Sequence, residues 1–309
     1  MSFPFVYPKR VTVVEVGPRD GLQNEAVRVT LEDKVAFVDL LTAAGAPVIE
    51  IAAYVRADWV PQMADSGLVA QRITRRPSTR YTCLVPNLRG LEAARETGMT
   101  EVAIFAAASE TFSRRNINRG IEDSLALFSE VCHEAIKLGM RVRGYVSTAF
   151  GCPFEGRVDP AAVADVSRSL LDLGVYEVAV SDTIGIAHPG QVPIVLDAVL
   201  KYVPLDQVAF HFHDTRGTAL ANVLAALTLG VTTFDASAGG LGGCPYAPGA
   251  TGNLATEDLV YMLDGLGIVT GIDLAKLLEA SRFIETRVGH PLPSRYYRAA
   301  QAARQPAGS

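Results

Sequence analysis

His211 and His213 stand two residues apart in the apolar run VAFHFHDT, residues 208–215. In an extended chain, positions i and i+2 point to the same face. If that face is turned inward, two imidazoles meet at one point and can share a metal ion. The same spacing also suits two histidines satisfied by hydrogen bonds in a polar centre. A second pair, Arg19 and Asp20, follows the β-branched run VTVVEVG, residues 11–17. A buried carboxylate is costly unless it is paired or metal-bound, so Asp20 favours the metal reading. Asn253, in GATGNLATED, offers a neutral oxygen. Two imidazoles and two oxygen donors with room for water suit Mg2+ or Mn2+, or another borderline divalent ion. No cysteine cluster accompanies the histidines, which disfavours zinc. Such an ion would act as a Lewis acid on a substrate hydroxyl and its neighbouring carbonyl.

Arg19 has two readings. As an exposed partner of Asp20 it contributes little. In a closed site its forked, permanently charged guanidinium suits a carboxylate or a developing enolate. The stretch GGLGGCPYAPGATGN, residues 239–253, is rich in Gly and carries the thiol of Cys244. That composition marks a loop that moves or approaches a ligand closely, and a thiol on it could serve as an acid or base on closure. Cys83 and Cys132 lie in apolar runs and read as small buried hydrophobes; Cys152 is left open. Glu50 and Asp182 sit near strand ends, where each could orient a histidine, hold a water or pair with Arg19. Gln23, Tyr145 and Thr183 are the expected substrate contacts, with Ser147 presented beside Tyr145. His133, His188 and His290 are given no role.

Eight β-branched runs could position these groups: residues 11–17, 47–53, 80–86, 101–108, 141–150, 176–183, 208–215 and 232–240. Amphipathic stretches lie between them, several ending in Gly45, Gly139, Gly174 or Gly230, as left-handed helix caps require. Asp159-Pro160 and His188-Pro189 read as helix starts. Strands alternating with helices argue for parallel βαβ units. Eight such units are the count of a closed (β/α)8 TIM barrel, whose chemistry sits at the C-terminal ends of its strands. A doubly wound open sheet would normally carry a glycine-rich phosphate loop after the first strand, and Gly-Pro-Arg-Asp-Gly is not one. The expected organisation is one domain: a barrel over about 8–270, a helical extension over about 271–298 and a flexible tail over 299–309.

The 309 residues are 49% hydrophobic, enough for one large core, and carry a formal net charge of -5 with no basic block. Nucleic acid is therefore not an expected partner. No apolar stretch is long enough to span a membrane, and the first residues have no long apolar segment of a secretory signal. The four cysteines lack CxxC spacing, which suits reduced thiols and a cytoplasmic setting.

The blocks EVGPRDGLQNE, LVPNLRGLEAA, FAAASETFSRRNIN, GYVSTAFGCPFEG, SDTIGIAHPG, HFHDTRGTALAN and GLGGCPYAPGATGNLATEDLVYML resemble the 3-hydroxy-3-methylglutaryl-CoA lyase family. They are spread over nearly the whole barrel, and the last is the most specific. The resemblance implies that Asp20, His211, His213 and Asn253 hold a divalent cation and that Arg19 stabilises the enolate of a departing acetyl thioester. It makes Cys244 the loop thiol that helps move a proton, His211 a participant in that transfer, and Glu50 and Asp182 supporting acids. It further implies an acyl-CoA substrate, a homodimer, and the settings of leucine degradation and ketone-body formation.

The chain departs from the family pattern after Glu50. Ala53 replaces a serine and Asp58 a lysine, while Ala179 stands where a serine is common and Ser181 where a glycine is. Lost hydroxyls near a polar substrate can shift specificity by orders of magnitude. The alternatives are thus a lyase of the same mechanism for another 3-hydroxyacyl-CoA, or a barrel that binds acyl-CoA without turnover.

Overall fold

Because a helix follows each β-branched run, neighbouring strands pair in parallel through crossovers rather than through hairpins. In the computed structural model, which describes residues 6–243 and 252–303, eight parallel strands close into a barrel in sequence order. They are β1 (Thr12–Glu15), β2 (Val48–Ala53), β3 (Arg80–Leu84), β4 (Glu101–Ala107), β5 (Arg141–Ser147), β6 (Glu177–Asp182), β7 (Val208–Phe212) and β8 (Thr233–Ala236). β1 pairs with β8, Val14 opposite Asp235, and closes the ring.

The helices are α1 (Leu31–Ala43), α2 (Ser66–Arg72), α3 (Leu88–Glu96), α4 (Glu110–Ile117), α5 (Ile121–Lys137), α6 (Pro160–Asp172), α7 (Val192–Val199), α8 (Ala219–Thr228), α9 (Thr256–Gly265), α10 (Leu274–Val288) and α11 (Arg295–Ala302). Side chains start several of them by accepting otherwise unpaired amide protons. Thr30 accepts from Asp33 N–H, Asn87 from Gly90 N–H and Ser109 from Phe112 N–H. Asp159 caps α6 with Pro160 behind it, as expected. The start expected at His188-Pro189 falls instead at Val192, where Pro193 occupies the first turn. Gly45, Gly139, Gly174 and Gly230 take the left-handed backbone read for them.

The C-terminal extension folds back onto the barrel. Ser294 Oγ donates to Asp258 Oδ1 at 2.8 Å, and Tyr297, 1% exposed, donates to Glu285 Oε2 at 2.8 Å. The tail expected from 299 is corrected at its start, since α11 runs through Ala302 on the strength of these anchors. Residues 304–309 of that tail lie outside the described residues. Among the described residues no helix is long and apolar enough to cross a membrane.

Candidate active site

The expected first strand overshoots by two residues, and the reason shapes the site. β1 stops at Glu15, and Gly17–Gly21 wind into a π-helical turn whose Gly21 N–H reaches Val16 O at 3.1 Å. Such single turns of wide helix recur at functional sites. Here the turn swings Arg19 and Asp20 over the C-terminal mouth of the barrel. It packs too tightly for side chains: a Cβ on Gly21 would sit 2.8 Å from Ser237 Oγ and 3.0 Å from Leu241 Cβ.

His211, on β7, and His213, just past its end, do face the same way, and both are buried. Their Nε2 atoms are 3.1 Å apart, and Asp20 Oδ2 lies 3.9 Å from the first and 4.0 Å from the second. Asp20, His211 and His213 are the metal-competent cluster among the described residues. Burial alone would raise the Asp20 carboxyl, but Arg19, His211 and His213 hold it well below the usual range. Burial and His211 push His213 down to about 4, so its imidazole is neutral and free to ligate near neutral pH. Burial works against protonating His211 too, yet Asp235 and Asp20 raise it overall.

Around this triangle runs a closed circuit of buried charge. Arg19 Nη1 donates to Asp20 Oδ1 at 2.6 Å, and its Nε and Nη2 lie 2.8 and 2.6 Å from Glu50 Oε2. Tyr145 OH donates to Glu50 Oε2 at 3.1 Å and accepts from Arg143 Nη1 at 2.8 Å. Arg143 grips both oxygens of Asp235, at 3.0 and 2.7 Å, and donates from Nε to Glu177 Oε1 at 2.7 Å. Asp235 Oδ2 returns the circuit to His211 Nδ1 at 3.1 Å. Two guanidiniums thus face the four carboxylates of Asp20, Glu50, Asp235 and Glu177. Two nitrogens and a carboxylate oxygen converge beside this circuit, a donor set that fits a divalent cation.

The other expected residues divide. Tyr145, Ser147, Thr183 and Gln23 line a cavity of about 990 Å³ together with Arg19, Asp20, His211 and His213. Thr183 Oγ1 accepts from Thr148 N–H at 2.7 Å. Glu50 is fully buried behind Arg19, with Oε1 unpartnered among the described residues, and of its expected roles the pairing one is seen. Asn253 reaches the cluster, but by its amide nitrogen, which donates to Asp20 Oδ2 and to Leu241 O at 2.9 Å each. Its oxygen is therefore not the atom facing Asp20, because two acceptors claim the nitrogen.

Asp182 lies off the cavity wall; its two oxygens accept Ile186 and Ala187 N–H at 3.0 Å each, so it braces the loop after β6. Burial raises its carboxyl to about 6. Ala179, fully buried, also lies off the cavity wall, whereas Ala53 and Ser181 are on it. Of the two expected pocket departures only Ala53 faces the ligand space, and Ser181 adds a hydroxyl there. Cys244 falls outside the described residues. The described ends of its segment are tied near the mouth: Asn24 Nδ2 donates to Gly243 O at 2.8 Å, and Gly252 O accepts Asp214 N–H at 3.1 Å.

The residues missed were Arg143 and Asp235. They lie inside strands, and attention to strand ends passes over them. The signal was present: Arg143 shares the i, i+2 face of Tyr145, and Asp235 is the ionisable residue within β8.

The sequence profile of the HMGL-like family matches residues 10–284. The chain is 50% identical over 289 residues, 94% of its length and 97% of the relative's, to hydroxymethylglutaryl-CoA lyase YngG of Bacillus subtilis (strain 168). Its fold superposes with a TM-score of 0.94 on the crystal structure of hydroxymethylglutaryl-CoA lyase from Pseudomonas aeruginosa, at 50% identity, covering 96% of this chain and 99% of that one. An HMG-CoA lyase from Acenitobacter baumannii in complex with coenzyme A and 3-methylmalate gives a TM-score of 0.90 at 38% identity, with 97% of each chain covered.

Proposed function

The chain belongs to the HMGL-like family, and we propose on that footing that it is a carbon–carbon lyase splitting 3-hydroxy-3-methylglutaryl-CoA into acetyl-CoA and acetoacetate. The observation that carries this is the convergence of His211 Nε2, His213 Nε2 and Asp20 Oδ2 beneath Arg19 at the barrel mouth.

Asp20, His211 and His213 would hold a divalent cation, with Mg2+ or Mn2+ proposed from their nitrogen and oxygen donors. Asn253 would join as a fourth ligand if its amide turned over. When bound, the ion supplies Lewis acidity that lowers the pKa of the substrate's tertiary hydroxyl. The chain's own groups do the rest. Loss of the hydroxyl proton to a base lets a carbonyl form at C3 as the C2–C3 bond breaks. The bonding pair passes to C2 and spreads onto the thioester oxygen, where the Arg19 guanidinium stabilises the enolate. Glu50 and Tyr145 keep Arg19 aimed. A proton delivered to C2 completes acetyl-CoA, and we assign that delivery to the Cys244 thiol with His211 taking part. Gln23, Ser147, Ser181 and Thr183, polar groups of the cavity wall, would orient the acyl chain.

Ala53 supports a second reading within the same chemistry. It puts a methyl on the wall of the cavity that Met63, Leu84 and Phe105 also line, which suits a 3-substituent larger than methyl. A homodimer, a cytoplasmic setting, and parts in leucine degradation and ketone-body formation are proposals resting on the family alone.

Acetoacetate release tests the function. The chain with 3-hydroxy-3-methylglutaryl-CoA, Mg2+ or Mn2+ and a thiol reductant is expected to release it, and to stop with EDTA or in Cys244→Ala. Absence of product with metal bound would shift the assignment to a panel of other 3-hydroxyacyl-CoAs.

A further inference from the structure

We propose that Asp235, clamped by Arg143, is a positioning residue for His211: it fixes the ring and keeps the proton on Nδ1, so that the Nε2 lone pair faces the mouth. This rests on the reading of the mouth as a metal centre.

Three observations combine. Asp235 is 1% exposed and each of its oxygens is held by a terminal nitrogen of Arg143, at 3.0 and 2.7 Å. A carboxylate held this way is an acceptor only, so the contact at 3.1 Å between its Oδ2 and His211 Nδ1 needs a proton on Nδ1. In the neutral ring that leaves Nε2 unprotonated, 3.1 Å from His213 Nε2 and 3.9 Å from Asp20 Oδ2.

The arrangement is one-sided. His213 Nδ1 is buried with no hydrogen-bond partner among the described residues, so within them only the far nitrogen of His211 is held by a carboxylate. Arg143 is itself fully buried and fixed by Glu177 and Tyr145, so Asp235 cannot turn away from the ring without leaving the buried Nη2 of Arg143 without its acceptor. Carboxylates that accept from the far nitrogen of a ligating histidine orient the ring and raise its basicity, and their loss typically weakens metal binding about 10–100-fold.

Asp235→Asn separates positioning from mere structural support. An amide at this place can present its NH2 to Nδ1 and move the ring proton to Nε2, closing the lone pair toward the mouth. The full-length protein, labelled with 15N-histidine and freed of metal by chelation, is examined at mildly alkaline pH. His211 is expected as the Nδ1–H tautomer in wild type and wholly or partly as Nε2–H in D235N. Calorimetric titration with Mn2+ is expected to show affinity about 10–100-fold weaker in D235N, with an unchanged circular dichroism spectrum.

A purely structural role would lower the melting temperature of D235N but leave the tautomer and affinity of its folded form as in wild type, and that result overturns the proposal. So does an Nε2–H tautomer in the wild-type protein, a measurement that needs no variant and stands if D235N does not fold. Failure of the wild type to bind Mn2+ at all would remove the metal-centre reading together with the proposal. Unchanged binding in D235N would remove the proposal alone.

Discussion

Arg19 meets Glu50 through two nitrogens on a single oxygen, Nε at 2.8 Å and Nη2 at 2.6 Å from Oε2, in a pair that joins the π turn after β1 to β2. The carboxylate is fully buried, and its other oxygen has no partner among the described residues. Burial pushes the Glu50 carboxyl upward, and Arg19 opposes the shift. Breaking a buried pair by removing one partner leaves an uncompensated charge and costs about 3–5 kcal/mol.

Glu50→Gln is therefore expected to lose about 3 kcal/mol of stability, read by denaturant unfolding. It is also expected to lower kcat, because Arg19 loses its aim, while leaving Mn2+ affinity near wild type. Glu50 touches neither imidazole, so a large loss of metal affinity in this variant would place it in the metal site instead.

Arg19 bears on the chemistry directly. Arg19→Met is expected to reduce kcat by about 10²–10³-fold, the usual effect of removing one oxyanion-stabilising group. Steady-state kinetics with saturating metal give the number. A fall in substrate affinity with kcat unchanged would make Arg19 a ground-state binding group.

Ala53 controls the cavity wall. Restoring the hydroxyl with Ala53→Ser is expected to shift relative kcat/KM toward 3-hydroxy-3-methylglutaryl-CoA, against a homologue with a longer 3-alkyl branch, by about tenfold. Unchanged relative kcat/KM would mean that this wall does not read the branch.

His290 ties the C-terminal extension to the loop that follows Asp20. Its Nε2 lies 2.7 Å from Glu25 Oε2, and that hydrogen bond raises its pKa, with partial burial opposing. A histidine whose folded pKa is raised contributes stability that is full below its unfolded pKa of about 6.5 and lost as pH rises through the folded value. His290→Gln should therefore melt below wild type in mildly acidic buffer and alongside it in alkaline buffer. The gap should be modest, since a pair this exposed contributes at most about 1 kcal/mol. An equal gap at both pH values would assign His290 a packing role.

The barrel was legible because β-branched runs and capped helices alternate throughout, and pairing followed from that order. The ends of the strands were less so. VTVVEVG reads as one strand, but the π turn at Gly17–Gly21 depends on how closely Ser237 and Leu241 pack against it, and local sequence does not carry that. The histidine pair was legible from period two and Asp20 from its place after the first strand; the fold brings its Oδ2 within 4.0 Å of both rings. Asp182 looked like a mouth acid because it ends a strand; its carboxylate turned to the nearer amides of Ile186 and Ala187. Arg143 and Asp235 were overlooked because charge inside a strand runs against the pattern of an apolar core. Only closure of the barrel brings the two together across 92 positions of sequence.

Binding of Mn2+ and turnover, followed together on metal-stripped full-length protein, give the most direct test. Acetoacetate formation from 3-hydroxy-3-methylglutaryl-CoA is expected to rise in proportion to bound Mn2+ and to level off at a single ion per chain. Asp20→Ala is expected to abolish both. Full turnover by the stripped protein, or saturation with the ion and no acetoacetate, would contradict a lyase centred on Asp20, His211 and His213.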